Sequence, residues 1–190
     1  MTSAALPDAR RDAATATVGM TIFLGATTML FAALFFAYAV MRAQAPAWPP
    51  AGQAPLPRGA LGVNTLVLLA ASLALRAARA AARRDALASA RRRAWGALAL
   101  GVGFLAAQVI VWRALVGAGV GPSSGIYGSV FFAISGLHAL HVVGGLMALA
   151  LVATFWTRGA SAARRLGLCA LYWDFVLVVW LLFYVGACLR

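Results

Sequence analysis

Polar and apolar positions fall in long blocks along this chain, with neither the alternation of a half-buried strand nor the one-sided stripe of a soluble helix. Apolar runs cover residues 17–41, 60–75, 94–112, 126–156 and 166–189, and the short segments between them hold most of the arginines and prolines. About 20 apolar residues at roughly 1.5 Å rise each cross a hydrocarbon core. The blocks therefore predict five transmembrane helices, at 17–41, 60–80, 94–115, 126–156 and 166–189. The second run is short before Arg76, but Arg76 and Arg79 extend it by laying their stems along the helix and lifting their guanidinium groups to the interface. The expected organisation is a tail, residues 1–16, followed by one membrane domain, residues 17–190, of all-α class. Residues 43–59 carry five of the seven prolines and predict an extended, polyproline-like connector.

Composition sharpens this picture. With 64% hydrophobic residues and a mean hydropathy of +0.90, the chain is too apolar for a soluble domain of 190 residues. The net charge of +12 arises from 16 arginines and no lysine against Asp8, Asp12, Asp85 and Asp174, with no glutamate. Nucleic-acid binding needs a solvated basic face on a soluble domain, so nucleic acid is excluded as a partner. Arg10 and Arg11, the seven arginines from Arg76 to Arg93, and Arg158, Arg164 and Arg165 share one side of the membrane; Arg42, Arg58, Arg113 and Arg190 lie on the other. An excess of basic residues marks the cytoplasmic side, which places the N-terminus inside and the C-terminus outside. Helix 1 is too long for the 7–15-residue apolar core of a signal peptide, despite Ala43-Gln44-Ala45 after it, and is expected to remain in the mature protein. Cys169 and Cys188 are 19 residues apart on one helix, roughly 28 Å, too far to bridge, and are expected to act as small core hydrophobes.

Both histidines, His138 and His141, lie within the fourth run, and ionisable groups at membrane depth are functional hypotheses by default. Their spacing puts them roughly 60° apart on one helical face, which suits two metal ligands or two members of a polar seam but not the opposed ligands of one haem. A zinc or copper site would need more donors, with Asp174 brought up to the histidines. The alternative is that the imidazoles hydrogen-bond across helices and fix packing. Asp174 sits eight residues into helix 5, roughly 12 Å deep, with His141 expected roughly 10 Å deeper still. Its candidate partners are an imidazole, a hydroxyl or an arginine, and a structural or lipid-headgroup role is favoured over a proton relay. Tyr172 and Trp173 read as aromatics near the interface.

Ile126-Tyr127-Gly128-Ser129-Val130-Phe131-Phe132 leading into Gly136-Leu137-His138-Ala139-Leu140-His141-Val142, followed by Tyr172-Trp173-Asp174-Phe175-Val176-Leu177-Val178-Val179-Trp180, resembles subunit III of the haem-copper oxidases, cytochrome c oxidase in particular. Looser matches run through 31–35, Tyr38 and Arg42 in helix 1, Trp48-Pro49-Pro50 in the loop, Asn64-Thr65-Leu66 in helix 2, and Phe104-Leu105 with Gln108 in helix 3. The order and spacing agree with the short five-helix bacterial form. The chain departs from the family where Thr27 and Val111 replace glutamates, Asp174 a histidine and Leu177 an aspartate, so a proton-collecting role through those carboxylates is not expected.

The resemblance implies an accessory, non-catalytic subunit of a proton-translocating oxidase in the bacterial cytoplasmic membrane. Such a subunit binds no haem or copper itself, packs on subunit I in a complex that also contains subunit II, and holds phospholipid. Gly101, Gly103, Gly136, Gly144 and Gly145 are read as points of close helix approach, and Asn64, Gln108, Ser135, His138, His141 and Asp174 as polar sites of specificity. Trp48 is a candidate contact to another subunit outside the membrane. Two other readings stand beside this one: a subunit III-like companion of a nitric oxide reductase, and an independent small carrier. The carrier reading lacks the inverted repeat and broken helices that transporters use.

Overall fold

The computed structural model describes residues 5–155 and 160–188, with side chains for 14–155 and 161–187. Five helices follow one another: α1 (Ala5–Gln44), α2 (Arg58–Arg83), α3 (Leu87–Gly117), α4 (Ile126–Thr154) and α5 (Ala160–Cys188). All five are long and apolar enough to cross a membrane, and the chain is a multi-pass membrane protein. The expected ends at Trp156 and Leu189 lie outside the described residues.

Helix boundaries overrun the apolar blocks. α1 begins at Ala5, inside the expected tail, and α3 at Leu87, seven residues before its apolar run. The extra turns are rich in alanine and arginine, both strong helix formers, and Pro7 falls in the first turn of α1, where no intrahelical N–H bond is lost. α2 and α3 form a tight hairpin around Asp85, whose φ of 57° is left-handed. Ala86 N–H donates to Ala81 O at 3.0 Å and Asp85 N–H to Ala82 O at 3.2 Å, which closes the end of α2.

Packing has a simple topology. Helices α2, α3, α4 and α5 form a closed ring in which each touches the next and α5 returns to α2; α1 lies outside the ring, against α5 and α4 only. Lipid offers no hydrophobic driving force between helices, so close approach and van der Waals contact must hold the bundle. The α2–α3 seam supplies this with Ala71 and Ala78 facing Ala90, Ala94 and Ala97, all essentially fully buried. Across the ring, Trp173 and Trp180 of α5 reach α3. A Cβ placed on Gly101 would stand 2.5 Å from Trp173 Cη2 and 2.8 Å from Leu146 Cδ2, so only glycine admits the indole. Gly145 makes the same concession to Tyr172, at 2.8 Å. The other expected approach points differ: a Cβ at Gly103 or Gly136 would meet nothing within 4 Å, and one at Gly144 would make an ordinary 3.8 Å contact.

The proline-rich connector is not extended. Gln53 N–H closes a turn on Pro50 O, the Trp48–Pro49 peptide is cis, and Trp48 lies edge-on against Tyr38 and Tyr127 at 5.7 and 5.1 Å. Leu56 is buried and its N–H donates to Tyr127 Oη at 3.1 Å, while Gln53 Nε2 donates to Ser124 O at 2.8 Å. Trp48 is thus engaged by its own chain.

Candidate functional site

The buried polar groups lie along the inside of the ring. Asn64 on α2 donates through Nδ2 to Gln108 Oε1 on α3 at 2.9 Å, and both residues are almost wholly inaccessible. Trp180 Nε1 donates to Thr65 Oγ1 at 2.9 Å, and Thr65 in turn to Leu61 O at 2.8 Å. Trp112 Nε1 donates to Ser135 Oγ at 3.0 Å, tying α3 to α4. These bonds join neighbouring helices at positions where small polar side chains have no water to turn to.

Asn64 and Gln108 make a separable test. Asn64→Leu alone strands the Gln108 amide in an apolar interior and is expected to cost about 1–2 kcal/mol. The double variant Asn64→Leu/Gln108→Leu removes both polar groups and is expected to recover most of that loss. Thermal unfolding of the purified chain in detergent checks it; equal destabilisation by the single and double variants counts against the pair.

The histidines behave otherwise than expected. His138 is 2% exposed, and neither of its ring nitrogens has a hydrogen-bond partner among the described residues. Its ring is enclosed by Phe31 of α1, Phe104 of α3 and Trp180 of α5, with centroids at 6.4, 5.8 and 5.0 Å. His141 is half-buried, lies 5.1 Å from the same Phe31 ring, and has Nδ1 2.8 Å from Leu137 O one turn back. The predicted cross-helix imidazole bonds are therefore replaced by aromatic contacts and a bond within α4. The two rings share a face, as their spacing requires, and Phe31 of the outlying helix is what they share.

Asp174 faces away from them. Both its oxygens are held from α2: Ser72 Oγ donates to Oδ1 at 2.6 Å, Arg76 Nε donates to Oδ1 and Oδ2 at 3.0 and 3.1 Å, and Arg76 Nη2 lies 2.9 Å from Oδ2. No group of three or more His, Cys, Asp or Glu side chains gathers among the described residues, so the histidines and Asp174 are not brought together. Of the candidate partners, the hydroxyl and the arginine are realised and the imidazole is not; Ser72 and Arg76, four residues apart, lie on one helix face.

Tyr172 and Trp173 are also internal. Tyr172 is 8% exposed and donates to His141 O at 2.8 Å; Trp173 is 2% exposed, with Nε1 unpartnered among the described residues. They sit inside because α5 is wrapped by α1, α2 and α4. Cys169 is buried and free, in keeping with a small hydrophobe; the side chain of Cys188 lies outside the described residues. Thr27, Val111 and Leu177 are all buried, and the Thr27 hydroxyl donates to Phe23 O of its own helix at 2.8 Å. An apolar groove of about 370 Å³ runs between α1, α4 and α5, lined by Met20, Phe23, Ala148, Leu168 and Tyr172, with Arg165 also in its wall.

Comparison with known proteins gives a consistent result. The family described as "Cytochrome c oxidase subunit III" matches residues 11–188. Cytochrome c oxidase subunit 3 of Synechocystis sp. is 32% identical over 88% of this chain and 72% of its own length, and that of Thermostichus vulcanus 28% over 88% and 83%. Cytochrome bo(3) ubiquinol oxidase subunit 3 of Pseudomonas aeruginosa is 32% identical over 86% of this chain and 79% of its own.

Proposed function

The chain belongs to the cytochrome c oxidase subunit III family, and we propose that it is the accessory subunit of a haem-copper oxidase that packs on subunit I. In this reading the haem and copper reside in the partner subunits and this chain carries no cofactor. It lies in the bacterial cytoplasmic membrane with its N-terminus inside and C-terminus outside, and supports durable proton-coupled oxygen reduction by the complex. The observation that carries the reading is the use to which the polar side chains are put. Asp174 is spent on Ser72 and Arg76, Asn64 on Gln108, and the positions of family carboxylates hold Thr27, Val111 and Leu177. Asp174, Asn64 and Gln108 are thus committed to joining helices rather than to proton transfer. The α1–α4–α5 groove has the apolar lining and flanking arginine that suit a phospholipid chain.

Purification of the native complex through a tag on this chain tests the assignment. A large haem-bearing polypeptide is expected to accompany it. Replacing His138 and His141 together by leucine is expected to weaken that association or shorten the enzyme's working life, with haem absorbance unchanged. Isolation of the chain alone in an active form, or iron or copper bound within it, would overturn the proposal.

A further inference from the structure

At the end of the bundle where α2 turns into α3, a cavity of about 480 Å³ is lined by Arg76, Arg79, Arg83, Arg84, Ala170 and Asp174. Four guanidinium groups meet one carboxylate there, and that carboxylate is already engaged with Ser72 and Arg76. Positive charge is therefore left over. Snorkelling and the α2 dipole explain the exposed Arg83 and Arg84 in and beyond the last turn. They do not explain Arg79. Its side chain lies along α5, where a Cβ on Gly167 would stand 3.1 Å from Nε and 3.2 Å from Cζ, and its Nε is buried with no hydrogen-bond partner among the described residues. A planar, always-charged group pressed against a helix with a donor unsatisfied is set to receive an acceptor of opposite charge.

We propose that this cavity is a binding site for a phosphate group, with Arg79 as its floor and Arg83 and Arg84 as its rim. The oxygens of a phosphate match the fork of donors on each guanidinium and offer enough acceptors for more than one arginine at once. The site lies on the α2–α5 seam, separate from the groove between α1, α4 and α5, at the end of the bundle where the arginines cluster. Asp174 holds Arg76 in place beside it.

The full chain, purified in a mild uncharged detergent, is titrated with short-chain phosphatidylglycerol, short-chain phosphatidylcholine and inorganic phosphate, with binding read by native mass spectrometry and calorimetry. Saturable binding of phosphatidylglycerol or phosphate is expected, weakened about tenfold or more by Arg79→Gln and unchanged by Arg113→Gln on the opposite end of α3. Phosphatidylglycerol binding that phosphate does not displace identifies a lipid-borne ligand; displacement identifies a soluble one, and either supports the site. Should Arg79→Gln fail to fold, Arg83→Gln with Arg84→Gln, both on the exposed rim, is expected to weaken binding several-fold. Equal binding of phosphatidylglycerol and phosphatidylcholine, or affinity indifferent to these arginines, would overturn the proposal. Assembly with subunit I plays no part in the readout, so the two proposals fail separately.

Discussion

A Gly101→Leu variant is expected to accumulate poorly and to unfold well below the parent chain. The added Cβ alone would stand 2.5 Å from Trp173 Cη2 and 2.8 Å from Leu146 Cδ2, inside any real carbon–carbon contact. Neither neighbour has room to withdraw: Trp173 is 2% exposed and backed by Gly145 of α4, and Leu146 is 9% exposed. Overpacking of this kind typically costs about 1–3 kcal/mol and more when the backbone must move. Here α3 would have to part from α5 across the ring, so the effect should sit at or above the upper end. Gly103→Leu is the control, because that position opens onto nothing within 4 Å and should change stability by no more than about 0.5 kcal/mol. Thermal unfolding in detergent, with Trp173→Ala as the compensating second change, reads the coupling. A Gly101→Leu chain as stable as Gly103→Leu would remove the claim.

Trp180→Ala is expected to be the most damaging truncation. The side chain is fully buried, stacks edge-on with Phe104 at 5.0 Å, lies 5.0 Å from His138 and 5.6 Å from Phe183, and donates to Thr65. Removing it leaves a cavity at the meeting point of α2, α3, α4 and α5, for a loss of roughly 3–5 kcal/mol. Trp180→Phe keeps most of the ring contact and gives up the indole N–H, so its cost should fall near 1 kcal/mol. If alanine and phenylalanine prove equally disruptive, the hydrogen bond to Thr65 dominates and the packing account is wrong.

The five helices were legible because crossing a membrane demands length and apolarity, and both are written in contiguous residues. Their ends were not, since hydropathy stops at the first arginine while the helix continues through any good helix former; α1 and α3 both gain turns this way. The choice between Gly101 and Gly103 shows what spacing can add. Gly101 lies in step with buried Phe104, Gln108 and Val111, which follow at helical intervals, whereas Gly103 falls on the outer face. The small-residue rule alone treats them alike. The box around His138 was hidden for a different reason: its walls come from α1, α3 and α5, and no local pattern joins Phe31 to Phe104 and Trp180. Similarly, five prolines predict an extended connector, and what bends it back is Trp48 meeting Tyr127 from a helix far along the chain.

The seat of α1 is built entirely from α4 and α5. During synthesis α1 emerges before either of them, so its seat is completed only when α5 has followed α4. Full docking of α1 is therefore a late event, and a polypeptide truncated before α5 would keep α1 with only its smaller contact on α4.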